Sequence, residues 1–363
     1  MLHIGVNFGF GKIDPTVTDE QVYLNETALA VMSEGLGYDS VWATEHHFSD
    51  YSFCPDNLLW LAHIAGRTNT IKLGTGAVIL PWNDPLRVAE KLLMLDNLSA
   101  GRAIFGMGRG LSRTEYVPFN IPLEETRGRF DEAAALIIKG IETGVIEGDG
   151  PYYPQPRATL KPGPRSSFKD RLYTVAGSPD SMVSAVLHKA RLMSFILKPV
   201  DMLIPTFESY RDQFRDAWDE EAPPICLNVN MYCHTDADVA ATRMHECVDA
   251  FFEANVKHYE MDGQHFATTK GYERYADNAA AIRESGVSKA AHNYAEAALF
   301  GTPEQILAKL EWIQGLMGEF ELIVVPSFGG MTYEESVASL TLFAEKVAPV
   351  ARAKYSARLV VGV

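Results

Sequence analysis

Short apolar runs alternate with amphipathic stretches of helical spacing from one end of this chain to the other, the pattern of repeated parallel βα units. The runs predict strands at Leu2–Phe8, Ser40–Thr44, Ile71–Thr75, Arg102–Met107, Leu172–Ala176, Leu192–Ile196, Ile225–Tyr232 and Phe320–Val325. Helix starts are marked between them. Asp84-Pro85 precedes LRVAEKLLMLDNL and Thr302-Pro303-Glu304 precedes QILAKLEWI, each a capping side chain followed by proline in the first turn. Gly37, Gly101 and Gly315 fall where helices should stop. Eight strands alternating with helices predict an α/β fold, a (β/α)8 TIM barrel. An open doubly wound sheet competes, but the Gly-x-Gly-x-x-Gly turn it would carry after the first strand is missing.

Two regions break the spacing. Val145–Lys169 holds five prolines and several charges, and reads as a long loop with little regular structure feeding the fifth strand. Lys257–Leu299 is polar and reads as an insertion ahead of the eighth strand, positioned as a mobile lid over a barrel mouth. At 363 residues the whole chain, 1–363, is expected to form a single barrel domain with this lid inside it.

Composition narrows the partners. The net charge is −15, with Lys and Arg scattered singly, so no basic stripe suits a nucleic acid or an anionic membrane surface. Cys54, Cys226, Cys233 and Cys247 form no CxxC pair, and a chain that is 47% hydrophobic has core enough without disulfides, so a reducing cytoplasm is expected. The start MLHIGVNFGF lacks the features of a signal peptide, and no run reaches the ~18 apolar residues of a membrane span.

In a parallel barrel the loops after the strands share one rim, which selects the candidate chemistry. Glu45-His46-His47 after the second strand is the densest titratable cluster, and an imidazole at a strand end suits proton transfer near neutral pH. Metal binding and a hydrogen-bonded structural pair compete. Against metal, neighbours on an extended chain point to opposite sides, and no second cluster of His with carboxylates is visible at another strand end. Arg109 stands among glycines in Gly106-Met107-Gly108-Arg109-Gly110, where a forked guanidinium suits a phosphate, although SRTEYVPF beyond it does not begin a convincing helix. Ser178 and Ser181 lie at an expected helix start and could receive an anion; capping alone accounts for one of them equally well. His63, His188, His245 and Cys247 sit in helical patterns and receive no role.

Taken in order, the segments GLGYDSVW leading into Glu45-His46-His47-Phe48, Gly74–Pro81, Phe105–Leu111, Val175-Ala176-Gly177-Ser178, Thr269–Tyr272 and Gly301–Glu304 resemble the bacterial luciferase-like flavin monooxygenases, in particular the luciferase α chain. The resemblance runs from about Leu2 to Pro349. It implies reduced FMN at the barrel mouth, with the phosphate at Arg109, Ser178 and Ser181 and the ring system among Gly76, Ala77, Gly108, Ala176, Gly177 and Phe195. It implies a cis peptide between Gly76 and Ala77, and His46 as the catalytic histidine with Glu45 beside it. The implied chemistry is oxygenation of a small aldehyde or ketone by O2 through a C4a-peroxyflavin, with Thr269–Tyr272 in the mobile lid. No nicotinamide fingerprint is present, so a separate reductase would supply the flavin, and family habit implies a homodimer. Gly108 stands where the luciferase α chain has cysteine, so the space over the ring is expected to be larger or differently shaped. A deazaflavin (F420) hydride-transfer enzyme on the same barrel and a non-catalytic partner subunit like the luciferase β chain remain the alternatives.

Overall fold

Eight parallel strands pair in chain order, and the ring closes where the eighth pairs with the first. They are Ile4–Phe8, Ser40–Ala43, Lys72–Thr75, Ala103–Gly108, Leu172–Val175, Arg191–Phe195, Ile225–Cys233 and Phe320–Val325. The chain is a closed α/β TIM barrel, and no strand boundary lies more than two residues from its predicted position. This computed structural model describes residues 2–177 and 179–261, positions 263, 276, 279, 280, 283 and 284, and residues 286–361.

Local chemistry explains the helices around the ring. The Asp84 side chain accepts from Arg87 N ahead of the helix Pro85–Leu98. Thr302 and Gln305 form a reciprocal capping box at the start of Pro303–Met317. Gly37 takes the positive φ that ends a helix, at +81°, whereas after Pro85–Leu98 that place falls to Ala100 (φ +57°), with Gly101 (φ +91°) one residue beyond and its N–H bonded to the Asp96 carbonyl. Gly315 ends no helix: it lies inside Pro303–Met317, and Gly318 terminates that helix with φ +75°. The inner faces carry Leu92, Ile137 and Ile306, all fully buried against the strands, and each such side chain contributes roughly 1.5–3 kcal/mol through removal from water.

Inside the ring, Trp42, Ile104, Tyr173, Met193, Cys226 and Ile323 form a packed plug. Trp42 fits there because Gly74 on the next strand has no side chain; a Cβ would overlap the indole. The plug closes the barrel from one end and leaves a floor beneath the C-terminal rim.

Two departures from the sequence reading concern connections. Val145–Lys169 carries more regular structure than expected: Val145–Gly148 and Gln155–Thr159 pair as an antiparallel hairpin, with Pro151 and Pro154 in the turn, Pro156 at the register irregularity of the second strand, and Pro162 and Pro164 beyond it. The expected insertion begins too early. Lys257 belongs to the last turn of the helix Ala237–Tyr259, Val287–Ala297 is a helix packed against it, and Leu299–Gly301 pairs with Met231–Cys233 of the seventh strand. Thr269–Tyr272, on which the lid reading depends, lie outside the described residues.

Among the described residues no helix is long and apolar enough to cross a membrane, and all four cysteines are buried free thiols.

One buried charge site is exceptional. Glu26 on the helix Asp19–Gly35 is 2% exposed and its Oε2 has no partner. Burial pushes its carboxyl up to about 8, and hydrogen bonds from Ser327 and the Phe10 backbone only partly offset that. Below the ordinary value of 4.5 both folded and unfolded chains keep the proton. As pH rises toward 8 the unfolded chain releases it first, so folding stability falls across that window. Glu26→Gln is therefore expected to melt increasingly above the native protein as pH is raised from about 5 to about 8; a melting-temperature gap that stays constant with pH would show that Glu26 is ionised in the fold.

Candidate active site

The loops after the strands enclose a cavity of about 360 Å³ at the C-terminal rim. Glu45, His46, Gly76, Ala77, Gly108, Arg109, Ala176, Gly177, Ser181 and Phe195 all line it; Ser178 lies outside the described residues.

The rim is built from both sides. From the second and third strands come Glu45, His46 and the Gly76–Ala77 peptide, which is cis. Asn57 at the start of the helix Asn57–Ala65 donates to the carbonyls of Ala43 (3.1 Å) and Ala77 (3.0 Å), tying these two strand ends together. Arg109 follows the fourth strand, in a loop fixed by the Tyr116 hydroxyl, which donates to the Arg109 carbonyl. Ser181 lies in the first turn of the helix Pro179–Leu187, which follows the fifth strand, where the helix dipole favours an anion. Across the ring, strands one and seven present Asn7, Asn228 and Asn230. Asn7 Oδ1, both polar atoms of Asn228 and Asn230 Nδ2 are buried without a partner. Unpaired amides facing one cavity are costly unless a ligand or water satisfies them.

Glu45 is heavily engaged. Its carboxylate accepts from Trp82 Nε1 (2.6 Å), Asn83 Nδ2 (2.8 Å) and Ile79 N (3.0 Å), and His47 Nε2 lies 3.4 Å away. His46 faces differently. Its Nδ1 lies 3.0 Å from Glu115 Oε1, and its Nε2 lies 3.3 Å from the Tyr259 hydroxyl. Glu115 also accepts from His47 N (2.8 Å), and its second oxygen is 3.6 Å from His258 Nε2. Burial alone would raise the Glu115 carboxyl, but attraction to His46, the hydrogen bond with His46 and the nearby His258 ring outweigh it and hold the group well below the usual carboxylate range. Burial pushes His258 down, so its ring is neutral near pH 7.

The space at Gly108 is not simply enlarged by the missing side chain. A Cβ there would come within 2.9 Å of Ile79 Cδ1 and 3.2 Å of Ala77 Cβ, so Ile79 takes up part of the volume.

Comparison with known proteins settles the family. The model of the luciferase-like monooxygenases matches residues 4–319. The chain belongs to the luciferase-like monooxygenase family. It is 33% identical over 127 residues to the alkanal monooxygenase alpha chain of Aliivibrio fischeri, covering 35% of this chain and 36% of that one. It is 27% identical over 242 residues to the oxygenase component of flavin-dependent trigonelline monooxygenase from Acinetobacter baylyi, covering 64% and 66%. The chain thus spans between about one third and two thirds of these two relatives. Among solved structures, monooxygenase RslO1 from Streptomyces bottropensis matches over 96% of this chain and 99% of that one, at 27% identity with a TM-score of 0.76. An F420-dependent secondary alcohol dehydrogenase shares the fold, with a TM-score of 0.70 at 15% identity, covering 96% of this chain and 99% of that one.

For this luciferase-like monooxygenase the sequence reading missed Glu115, His258 and Tyr259. It had found no second His and carboxylate cluster, yet Glu115, His46 and His258 place one ligand-capable atom each within 4.8 Å of one another. Glu115 sits on a one-turn helix, Arg113–Tyr116, in the very stretch judged unconvincing as a helix start, and His258 lies on the last turn of Ala237–Tyr259. They meet His46 through topology, and no spacing in the sequence signals it. Of the other histidines, His245 stacks on His292 at 5.3 Å, and His63, on the helix Asn57–Ala65, lines a separate surface groove.

Removing the Glu45 acceptor strands three donors at once. Glu45→Ala is expected to destabilise the protein by at least about 2 kcal/mol in denaturant unfolding, with Glu45→Gln losing less because it keeps one carbonyl acceptor; an unchanged midpoint would mean that water replaces the carboxylate freely.

Proposed function

We propose that this chain is the oxygenase component of a two-component flavin monooxygenase, which binds reduced FMN and oxygenates a small organic aldehyde or ketone. One observation supports it most: an anion-receptive pair, Arg109 and Ser181, stands across a single apolar cavity from three asparagines with unpaired amides, with an imidazole on the same rim. A planar heteroaromatic edged by N–H and C=O groups and carrying one phosphate satisfies both sides. When bound, reduced FMN supplies the two electrons with which one atom of O2 enters the substrate and the other leaves as water.

The chain's own residues divide the work. Arg109, Ser181 and Ser178 hold the phosphate, and Gly76, Ala77, Gly108, Ala176, Gly177 and Phe195 shape the slot for the ring. Low side-chain volume at Gly76, Ala77, Gly108 and Gly177 allows close backbone approach. His46, through Nε2, moves the proton as the substrate carbonyl reacts. Glu45, tied to Ile79, Trp82 and Asn83, orients the second-strand loop and does not itself transfer the proton. The recessed position of the cavity below the rim limits the access of bulk water to the reacting atoms.

The relative named as an oxygenase component supports a separate reductase as partner. A homodimer is supported by the surface groove between the helices Asp19–Gly35 and Asn57–Ala65, where Leu24 and Leu59 are 55% and 70% exposed. Free buried thiols fit a cytoplasmic setting. We take the chain to act as one domain from end to end.

The deciding experiment titrates the protein anaerobically with reduced FMN and, separately, with reduced F420, then admits isotopically heavy O2 with a panel of aldehydes and ketones. Saturable binding of reduced FMN and heavy oxygen in the product are expected. His46→Ala should bind the flavin as the native protein does yet form product at least about a hundredfold more slowly. Arg109→Ala should bind it more weakly by roughly 1.5 to 3 kcal/mol, tenfold or more. No affinity for reduced FMN, or oxygen-independent carbonyl reduction with F420 instead, would end this reading. In the same preparation, sedimentation should show a dimer; a monomer at micromolar concentration would remove the proposed pairing.

A further inference from the structure

We propose that Glu115, held by the His47 backbone N–H and packed beside His258, is a positioning residue that fixes the neutral ring of His46 in the tautomer with its proton on Nδ1, leaving Nε2 as a bare acceptor turned toward Tyr259. The inference deepens the proton-transfer reading of His46, and it rests on that reading only for its consequence in turnover.

The hydrogen-bond inventory carries it. Glu115 is 1% exposed and His258 is 4% exposed, so neither is served by bulk water. A carboxylate can only accept. Glu115 Oε1 takes the His47 backbone N–H at 2.8 Å and faces His46 Nδ1 at 3.0 Å, so Nδ1 must carry a hydrogen. Were the hydrogen on Nε2 instead, two lone pairs would oppose each other inside the protein. The other end of His46 agrees, since the Tyr259 hydroxyl at 3.3 Å can donate to a bare Nε2. His258 supports the carboxylate more loosely: Ser49 Oγ lies 2.8 Å from its Nδ1 and can donate or accept there, while its Nε2 lies 3.6 Å from Glu115 Oε2, an electrostatic contact longer than a hydrogen bond.

The backbone reinforces this alignment. The His258 carbonyl accepts from Ser112 Oγ (2.9 Å) and Thr114 Oγ1 (3.1 Å), and Arg113 grips Glu260 through two nitrogens at 2.7 and 2.9 Å. The turn that carries Glu115 is therefore docked onto the helix end that carries His258 by the three residues before Glu115, which reach the His258 carbonyl and Glu260. Tyr51 completes the surroundings, stacked on His258 at 4.8 Å and edge-on to His46 at 5.3 Å, with Asn255 donating to its hydroxyl. Among the described residues, the titratable and charged groups set around the trio are Tyr51, Tyr259, His47 and the Arg113–Glu260 pair. The same three side chains could in principle grip a metal ion, but His46 Nδ1 and Glu115 Oε1 already sit at hydrogen-bond spacing with His47 N on the same oxygen.

Histidine-selective 15N NMR on the flavin-free protein reads the tautomer directly, with the His46 and His258 signals assigned by His46→Gln and His258→Gln. Recorded at alkaline pH, where imidazole rings carry a single hydrogen, the native protein should show His46 with Nδ1 protonated and Nε2 bare. Glu115→Gln, whose amide can either donate or accept, should turn His46 into a mixture of tautomers, and His258→Asn should do so to a smaller degree. Turnover of Glu115→Gln should fall at least about tenfold while reduced-FMN affinity stays within about twofold. A native His46 protonated on Nε2, or a tautomer unchanged in either variant, would overturn the proposal. So would stoichiometric shifts of both rings on adding zinc, which would make the trio a metal centre. Because the spectra need no flavin, they stand even if the protein binds none, and the two readings fail separately.

Discussion

Closing eight parallel strands into one ring forces every strand to end on the same rim, and the rest of this molecule follows from that constraint. Each loop must then surrender its last side chains and its free backbone groups to a common mouth. Residues as far apart as Asn7, Arg109 and Asn230 become neighbours of one cavity although nothing local connects them. The packed plug below them, centred on Trp42 and Tyr173 at 4.9 Å, keeps that mouth from becoming a pore.

Burial on that rim sets the terms for its charges. Two carboxylates lie almost wholly out of water, and each survives there because donors converge on it: backbone and indole N–H groups on Glu45, imidazole and backbone N–H groups on Glu115. The difference between them is what the donors do next. Those around Glu45 belong to one stretch of loop and stiffen it, whereas those around Glu115 come from two distant segments and include the histidine that faces the cavity. Similar burial thus yields a brace in one case and an orienting partner in the other.

The barrel alone does not choose the chemistry. Enzymes described as using FMN and as using F420 share this fold with the chain, so the architecture supplies a mouth and leaves its lining to decide. In this chain the lining brings Arg109 and Ser181, three asparagines and the His46 imidazole to one cavity, and Ile79 occupies part of the room that Gly108 leaves.

Much of this was legible in the amino-acid order. Strand positions followed from apolar runs, helix starts from Asp84 and Thr302, and the rim residues from their place after strands, because each signal is local and repeats with the period of its element. The hairpin within Val145–Lys169 was obscured by its prolines, which suppress strand propensity in the sequence but fall in its turn, at its register irregularity or beyond it. The trio of His46, Glu115 and His258 was beyond reach altogether. Its members are 69 and 143 positions apart, and they meet only because a one-turn helix after the fourth strand docks on the end of a helix after the seventh. Secondary structure is written by neighbours along the chain; which carboxylate faces which imidazole is written by closure of the ring, and that is a property of the tertiary structure alone.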